Sequence, residues 1–246
     1  MRLLLLGGTG EARALAAALP PGVEVISSLA GRVPDPALPV GEVRIGGFGG
    51  VDGMRRWLLD TEVDAVVDAT HPFAATITAH AAQVCGELLL PHVVLARPAW
   101  PSGDAITVES DAEAARMVER HGFSRIFLTT GRSGIGAFAH LDAWFLIRAV
   151  TAPDAHTLPP RHQLLLSRGP YDYDDELALM REHRIDAVVT KNSGGDMTRP
   201  KLDAAAALGV AVVMVDRPPL PAGVATVSTV EEAVKWVRAI GDTGAE

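Results

Sequence analysis

The sequence predicts an α/β protein made of two doubly wound parallel sheets. Three observations carry that reading. Short runs rich in Leu, Val and Ile alternate with longer amphipathic stretches, and runs that stay apolar without polar alternation belong to strands covered on both faces. The whole pattern occurs twice along the chain. Turns rich in Gly, Ser and Thr follow the apolar runs, at the strand ends where such sheets bind ligands.

The repetition is seen in four pairs of segments. VDGMRRWLLDTEVDAVV (51–67) precedes YDDELALMREHRIDAVV (173–189) by 122 positions. LPHVVLARPAWP (90–101) matches VAVVMVDRPPLP (210–221), ITVESDAEAARMV (106–118) matches ATVSTVEEAVKWV (225–237), and RLLLLGGTG (2–10) resembles SRIFLTTGR (124–132). Their common order predicts two domains, 1–121 and 122–246, with a ligand cleft between them. In the first half the patterns predict strands at 2–6, 23–28, 42–45, 63–67, 92–96 and 105–108. Helices are expected near 10–19, 51–60, 74–86 and 111–121. Pro98, Pro101 and Gly103 place a hinge near 97–104, which leaves helix 111–121 open to either lobe.

The first strand runs into GGTGEARALA (7–16). Gly7, Gly8, Thr9 and Gly10 form a tight turn before a helix whose N–H groups and dipole suit a phosphate. Arg13 stands where the third glycine of G-x-G-x-x-G would be, and such turns also serve proteins without nucleotides. The second strand ends in SSLAGR (27–32), with no acidic residue to grip a ribose 2′-hydroxyl. Ser28 and Arg32 suit a 2′-phosphate, so NADPH is the preferred coenzyme; Arg32 as an ordinary loop residue is the alternative. GGFGG (46–50) is either a close approach to a flat ligand or a plain turn.

The fourth strand ends in DATHPFA (68–74). Pro72 is expected to begin a helix, where its missing N–H costs nothing. Asp68 and Thr70 are helix-cap candidates as well as site candidates. His71 is expected to face the nucleotide. The second half supplies TTGRSG (129–134), RAV (148–150), SRGPYD (167–172), TKNSGGDMTRPK (190–201) and DRPP (216–219). Arg132, Arg148, Arg168, Lys191, Lys201 and Arg217 are expected along one rim, suited to a ligand with many carboxylates or phosphates, or else to surface salt bridges. Ser193 and Gly194 lie in an expected anion nest.

Thirty acidic against 22 basic residues give a formal charge of −8, which argues against a nucleic-acid partner. No run approaches the length of a membrane span, and the opening MRLLLLGGTGEAR is too short in apolar residues for a signal peptide, so a cytoplasmic protein is expected. The single cysteine, Cys85, reads as a small buried hydrophobe. No His/Cys spacing suggests a metal.

GGTGEARALA, SLAGR, GGFGG, DATHPFA, RPAW, TTGR, RGPY and KNSGG, in that order and over essentially the whole chain, resemble the precorrin-6A reductase family of cobalamin (corrin-ring) biosynthesis. Tyr171 stands where that family often has Phe. The resemblance implies a two-lobed enzyme that uses NADPH to reduce one ring double bond of precorrin-6A, a tetrapyrrole, to precorrin-6B. Arg132, Arg168, Lys191 and Lys201 then become carboxylate clamps, with His71 the first candidate proton donor and Asp68 the second. Transient contact with other corrin-pathway enzymes is a further expectation. The alternatives are a cobalt-containing form of the same substrate, and a two-lobed nucleotide- or anion-binding protein without turnover. A Tyr-x-x-x-Lys reductase is excluded, since neither Tyr171 nor Tyr173 has lysine four residues on.

Overall fold

The computed structural model describes residues 1–31 and 38–243. The predicted alternation of strands and helices is present, and the first-half boundaries fall within about two residues of expectation. In order the elements are β1 (Arg2–Leu6), α1 (Gly10–Ala18), β2 (Glu24–Leu29), β3 (Glu42–Ile45), α2 (Gly50–Asp60), β4 (Ala65–Asp68), α3 (Ala75–Leu88), β5 (His92–Leu95), β6 (Ile106–Val108) and α4 (Asp111–His121). The second half has β7 (Arg125–Leu128), β8 (Trp144–Ala149), β9 (Arg161–Leu166), α5 (Tyr173–Glu182), β10 (Ala187–Lys191), α6 (Pro200–Leu208), β11 (Ala211–Val215), β12 (Ala225–Val227) and α7 (Val230–Thr243). Two short 3₁₀ turns, Ile135–Phe138 and Ala155–Thr157, stand in for helices beside β8.

Each sheet has six strands, paired in parallel throughout. The orders are β12-β5-β4-β1-β2-β3 and β6-β11-β10-β7-β8-β9. Both read as the doubly wound order 3-2-1-4-5-6, but in each the sixth strand comes from the other sequence repeat. β6, of the first repeat, pairs with β11, and β12, of the second, pairs with β5. The helices follow their strands, α4 packing on β11 and α7 on α1, β4 and β5.

This exchange corrects the expected division at 121/122. The compact units are Met1–Pro98 together with the chain from Pro218 onward, and Ala99–Arg217. Both crossings fall at an Arg-Pro dipeptide, Arg97-Pro98 and Arg217-Pro218, in matching places of the two repeats. A proline after a strand end removes a ladder donor and disfavours helix at the preceding residue, so the chain leaves the sheet there. Helix α4 belongs to the second unit.

The first sheet shows why its strands are apolar without alternation. Leu3 and Leu5 face α1 and α7, while Leu4 and Leu6 face α2 and α3, and all four are at most 1% exposed. Truncating any of them to alanine would cost about 2–5 kcal/mol. In the second unit Phe127, Leu146 and Val188 meet Met180 of α5 and Ala204 and Ala205 of α6. Cys85 is buried in the first core, where burial and the neighbouring Asp68 push its thiol pKa up to about 12. Among the described residues no helix is long and apolar enough to cross a membrane.

Candidate functional site

In the first unit the chain winds one way from β1 to β2 and the other way to β4, so the strand order reverses between β1 and β4. The carboxyl ends of these strands are where such a sheet takes a ligand. The Gly7 N–H donates to the Ser28 carbonyl at 2.9 Å, which extends the β1–β2 ladder by one residue. The backbone then turns through Gly8 at φ +110°, a conformation side chains disfavour. Thr9 caps α1: its hydroxyl accepts from the Ala12 N–H (3.1 Å) and donates to the Ala69 carbonyl beyond β4 (2.7 Å). One side chain thus fixes the helix terminus against both strands at the reversal point.

A side chain at Gly7 would meet Ala12 at 3.4 Å and Leu29 at 3.5 Å, so β1 and α1 pack in direct contact here. Ser27 lines the same small depression as Gly7, Gly8, Ala12 and Arg13. It is 1% exposed, and its hydroxyl has no partner among the described residues. A buried hydroxyl without a partner is costly, and a polar ligand at this turn would satisfy it. Arg97, at the end of β5, holds Glu11 in the first turn of α1 with 2.7 Å contacts to both carboxylate oxygens. Burial raises the Glu11 pKa, but the Arg97 bond and charge outweigh it and leave the carboxyl below its ordinary value.

The end of β4 is organised around Asp68, which is 1% exposed. One carboxylate oxygen accepts from the Thr70 N–H (2.9 Å) and hydroxyl (2.6 Å), and the other from the Thr78 hydroxyl (2.6 Å). Three hydrogen bonds from two threonines make Asp68 the anchor of this turn. The Thr70 hydroxyl is spent on the same bond. Helix α3 begins at Ala75, three residues later than the Pro72 start expected from the sequence, because a turn closed by Ala74 N–H to His71 C=O (2.7 Å) precedes it. His71 is exposed in that turn. Its Nδ1 accepts from the Phe73 N–H at 3.3 Å, which puts the ring proton on Nε2.

At the end of β2, Ser28 is buried and accepts from Arg44 of β3 at 3.0 Å. Arg44 was not among the residues expected from the sequence. The signal was present: an arginine two residues before a glycine-rich turn, on the strand beside β2. Arg32 lies outside the described residues.

In the second unit the strand order reverses between β7 and β10. The loop after β10 is held from several directions. Asn192 exchanges two hydrogen bonds with the backbone of Trp100, N–H to Oδ1 at 2.9 Å and Nδ2 to C=O at 3.1 Å. The Trp100 indole donates to the Gly195 carbonyl (2.9 Å), and Arg217 donates to the carbonyls of Asn192 (2.8 Å) and Ser193 (3.0 Å). RPAW and KNSGG, separate strings in the sequence, are therefore one clamp. Gly194 and Gly195 are left-handed, at φ +66° and +76°. The Ser193 N–H donates back to the Lys191 carbonyl at 2.7 Å.

The six cations expected along one rim differ in their surroundings. Arg132 and Arg168 are exposed. Lys191 sits 3.3 Å from Asp111, at the start of α4. The Arg148 guanidinium is buried over Phe127 and Tyr171 and paired at 2.6 Å with Glu176, itself 1% exposed. Lys201 is 5% exposed, donates to the Thr198 carbonyl (2.7 Å) and lies 4.7 Å from the centre of the Trp100 ring. Burial drives its pKa down to about 7, with Glu176 raising it and Arg148 lowering it further. Arg217 is a loop brace. Apolar walls and internal partners have drawn four of the six into the fold, which composition alone does not reveal. Among the described residues no group of three or more His, Cys, Asp or Glu could hold a metal ion.

Comparison with known proteins gives a consistent picture. The profile of the family "Precorrin-6x reductase CbiJ/CobK" matches residues 2–238. The chain is 71% identical over 236 residues to the precorrin-6A reductase of Mycobacterium tuberculosis (strain ATCC 25618 / H37Rv), covering 96% of this chain and 97% of that one. It is 58% identical over 242 residues to that of Rhodococcus erythropolis, again covering 96% and 97%. A cobalt-precorrin-6A reductase of Methanothermobacter thermautotrophicus is 30% identical over 233 residues, covering 89% and 77%. Among solved structures, a CobK precorrin-6A reductase superposes with a TM-score of 0.91 at 35% identity, covering 98% of this chain and 97% of that one.

Proposed function

The chain belongs to the precorrin-6x reductase family, oxidoreductases of cobalamin biosynthesis, and from that premise we propose that it uses NADPH to reduce one ring double bond of precorrin-6A, giving precorrin-6B. The observation that carries the coenzyme assignment is the turn at residues 7–10. There a left-handed glycine, a capped helix terminus and a buried serine whose hydroxyl has no partner among the described residues converge at the reversal point of the first sheet. That set fits a pyrophosphate. Gly8 and Gly10 would hold it through backbone N–H groups, while Gly7 stays tied to the Ser28 carbonyl and Thr9 fixes the turn rather than touching the ligand. When bound, the coenzyme supplies the hydride.

The protein's own tasks are orientation and the accompanying proton. His71 carries its proton on Nε2, on an exposed ring beside the coenzyme turn, and is the proposed donor. Asp68 is assigned to the turn. Arg132 and Arg168, both exposed, would attract the acetate and propionate groups of the macrocycle. Lys191, Ser193 and Gly194 shape the loop that faces it, and Lys201 supports that loop from beneath. The higher identity to the metal-free-substrate reductases favours precorrin-6A over its cobalt form.

The test is anaerobic mixing of the purified protein and NADPH with precorrin-6A, and in parallel with cobalt-precorrin-6A. Nicotinamide absorbance should fall with the metal-free substrate, one coenzyme per macrocycle. Binding of both ligands with no oxidation would leave a non-catalytic binding protein; oxidation with the cobalt form alone would reassign the substrate.

A further inference from the structure

β2 and β3 end side by side, with Ser28 opposite Arg44 in the pairing register. The Arg44 guanidinium is held on three points: Nη1 donates to the Ser28 hydroxyl (3.0 Å) and the Gly46 carbonyl (2.7 Å), and Nη2 to the Gly47 carbonyl (2.7 Å). It lies over the Phe48 ring, 3.7 Å from its centre, and Phe48 is propped edge-on by Trp57. The group is thus planar, oriented and partly desolvated before any ligand arrives. Burial draws its pKa down.

All three acceptors are neutral. No carboxylate among the described residues pairs with Arg44, whereas Arg97 has Glu11 and Arg148 has Glu176. Of the five guanidinium N–H donors, Nε–H and one on Nη2 have no acceptor among the described residues. Two donors on one charged plane are what a bidentate contact to a phosphate needs. Holding the turn at residues 46–50 explains the two bonds to Gly46 and Gly47. It does not explain why a charge with no carboxylate partner among the described residues is partly desolvated, which costs free energy until an anion arrives.

The position gives the anion its identity. The end of the second strand is where a doubly wound sheet distinguishes a ribose 2′-hydroxyl from a 2′-phosphate. β2 offers Ser27, Ser28 and Leu29 there, with no acid to take the hydroxyl or repel the phosphate. Resting on the coenzyme reading above, we infer that Arg44 reads the 2′-phosphate and makes the protein select NADPH over NADH. Ser28 and Phe48 are positioning residues for that guanidinium.

Titration calorimetry on the full chain tests this without turnover, using NADPH and NADH with the wild type, Arg44→Met, Arg44→Lys and Arg32→Ala. Arg44→Met should weaken NADPH about 10–100-fold, the range for losing hydrogen bonds to a charged group, and move NADH by less than about 2-fold. Equal weakening of both coenzymes would make Arg44 a brace for its turn and overturn the inference. So would an unchanged preference, with Arg32→Ala the variant that loses it. If Arg44→Met does not fold, Arg44→Lys decides: losing the planar fork should cut the preference at least about 5-fold, and an intact preference overturns the assignment. A wild type that binds NADPH no tighter than NADH would instead sink the coenzyme reading itself.

Discussion

At the carboxyl edge of the first sheet, between β1 and β4, lie backbone N–H groups, hydroxyls and one exposed imidazole; the buried carboxylate there, Asp68, is satisfied by threonines. At the matching edge of the second sheet, β7 and β10 lead into Lys191 with Asp111. Arg148 with Glu176, and the buried Lys201, lie in the same unit. The strand order is the same and the sequences are related by repetition, yet the charges are set differently: the first edge holds its ion pair Arg97–Glu11 partly open to solvent, whereas the second unit carries Arg148–Glu176 and Lys201 inside its core. The contrast teaches that a duplicated scaffold keeps its register while its loop residues diverge in chemistry, and that cations drawn into a core need partners.

The comparison breaks most sharply at Glu176. Removing it as Glu176→Ala leaves Arg148 buried and unpaired and should cost about 3–5 kcal/mol in chemical denaturation. A loss under about 1 kcal/mol would mean that Arg148 escapes to solvent and that the second edge is not built on buried charge.

His71→Ala touches only the first edge. It should lower turnover about 10²-fold with coenzyme affinity and melting temperature unchanged, because the ring is exposed. Near-normal turnover would remove it as the proton donor.

Lys201 sharpens the contrast through pH. Its pKa is lowered in the fold, to about 7 from an ordinary 10.5, so the fold favours the neutral amine. Below pH 7 both folded and unfolded chains carry the proton, and the full burial penalty applies. From about 7 towards 10.5 only the unfolded chain holds it. Stability from this group therefore rises with pH across that window, by at most about 1.4 kcal/mol per pH unit. Lys201→Met should flatten the slope, and identical slopes in the two proteins would show that the amine is solvated.

Much of this was legible in the sequence, because both periodicities are local: Leu3 to Leu6 announce a doubly covered strand, and the repeat announces two sheets. The exchange of β6 and β12 was not, since a strand's sequence records that it is buried and not which neighbour it pairs with. Arg97-Pro98 marks where the chain leaves, and nothing in the string says where it goes. The glycine turn and His71 were legible as strand-end residues, because the apolar runs that precede them are local in the sequence. The contact of Arg44 with Ser28 was not legible, because the side chain that reaches the end of β2 comes from β3. The burial of Lys201 beneath Trp100 depends on the clamp between Trp100 and Asn192, 92 positions apart.

The most direct measurement is amide hydrogen exchange with and without NADPH. Coenzyme seated on the first unit should slow exchange at residues 7–13 and 69–71 and leave residues 129–134 and 192–195 unchanged. Protection confined to the second set would place the dinucleotide on the charged edge and contradict the division of labour between the two sheets.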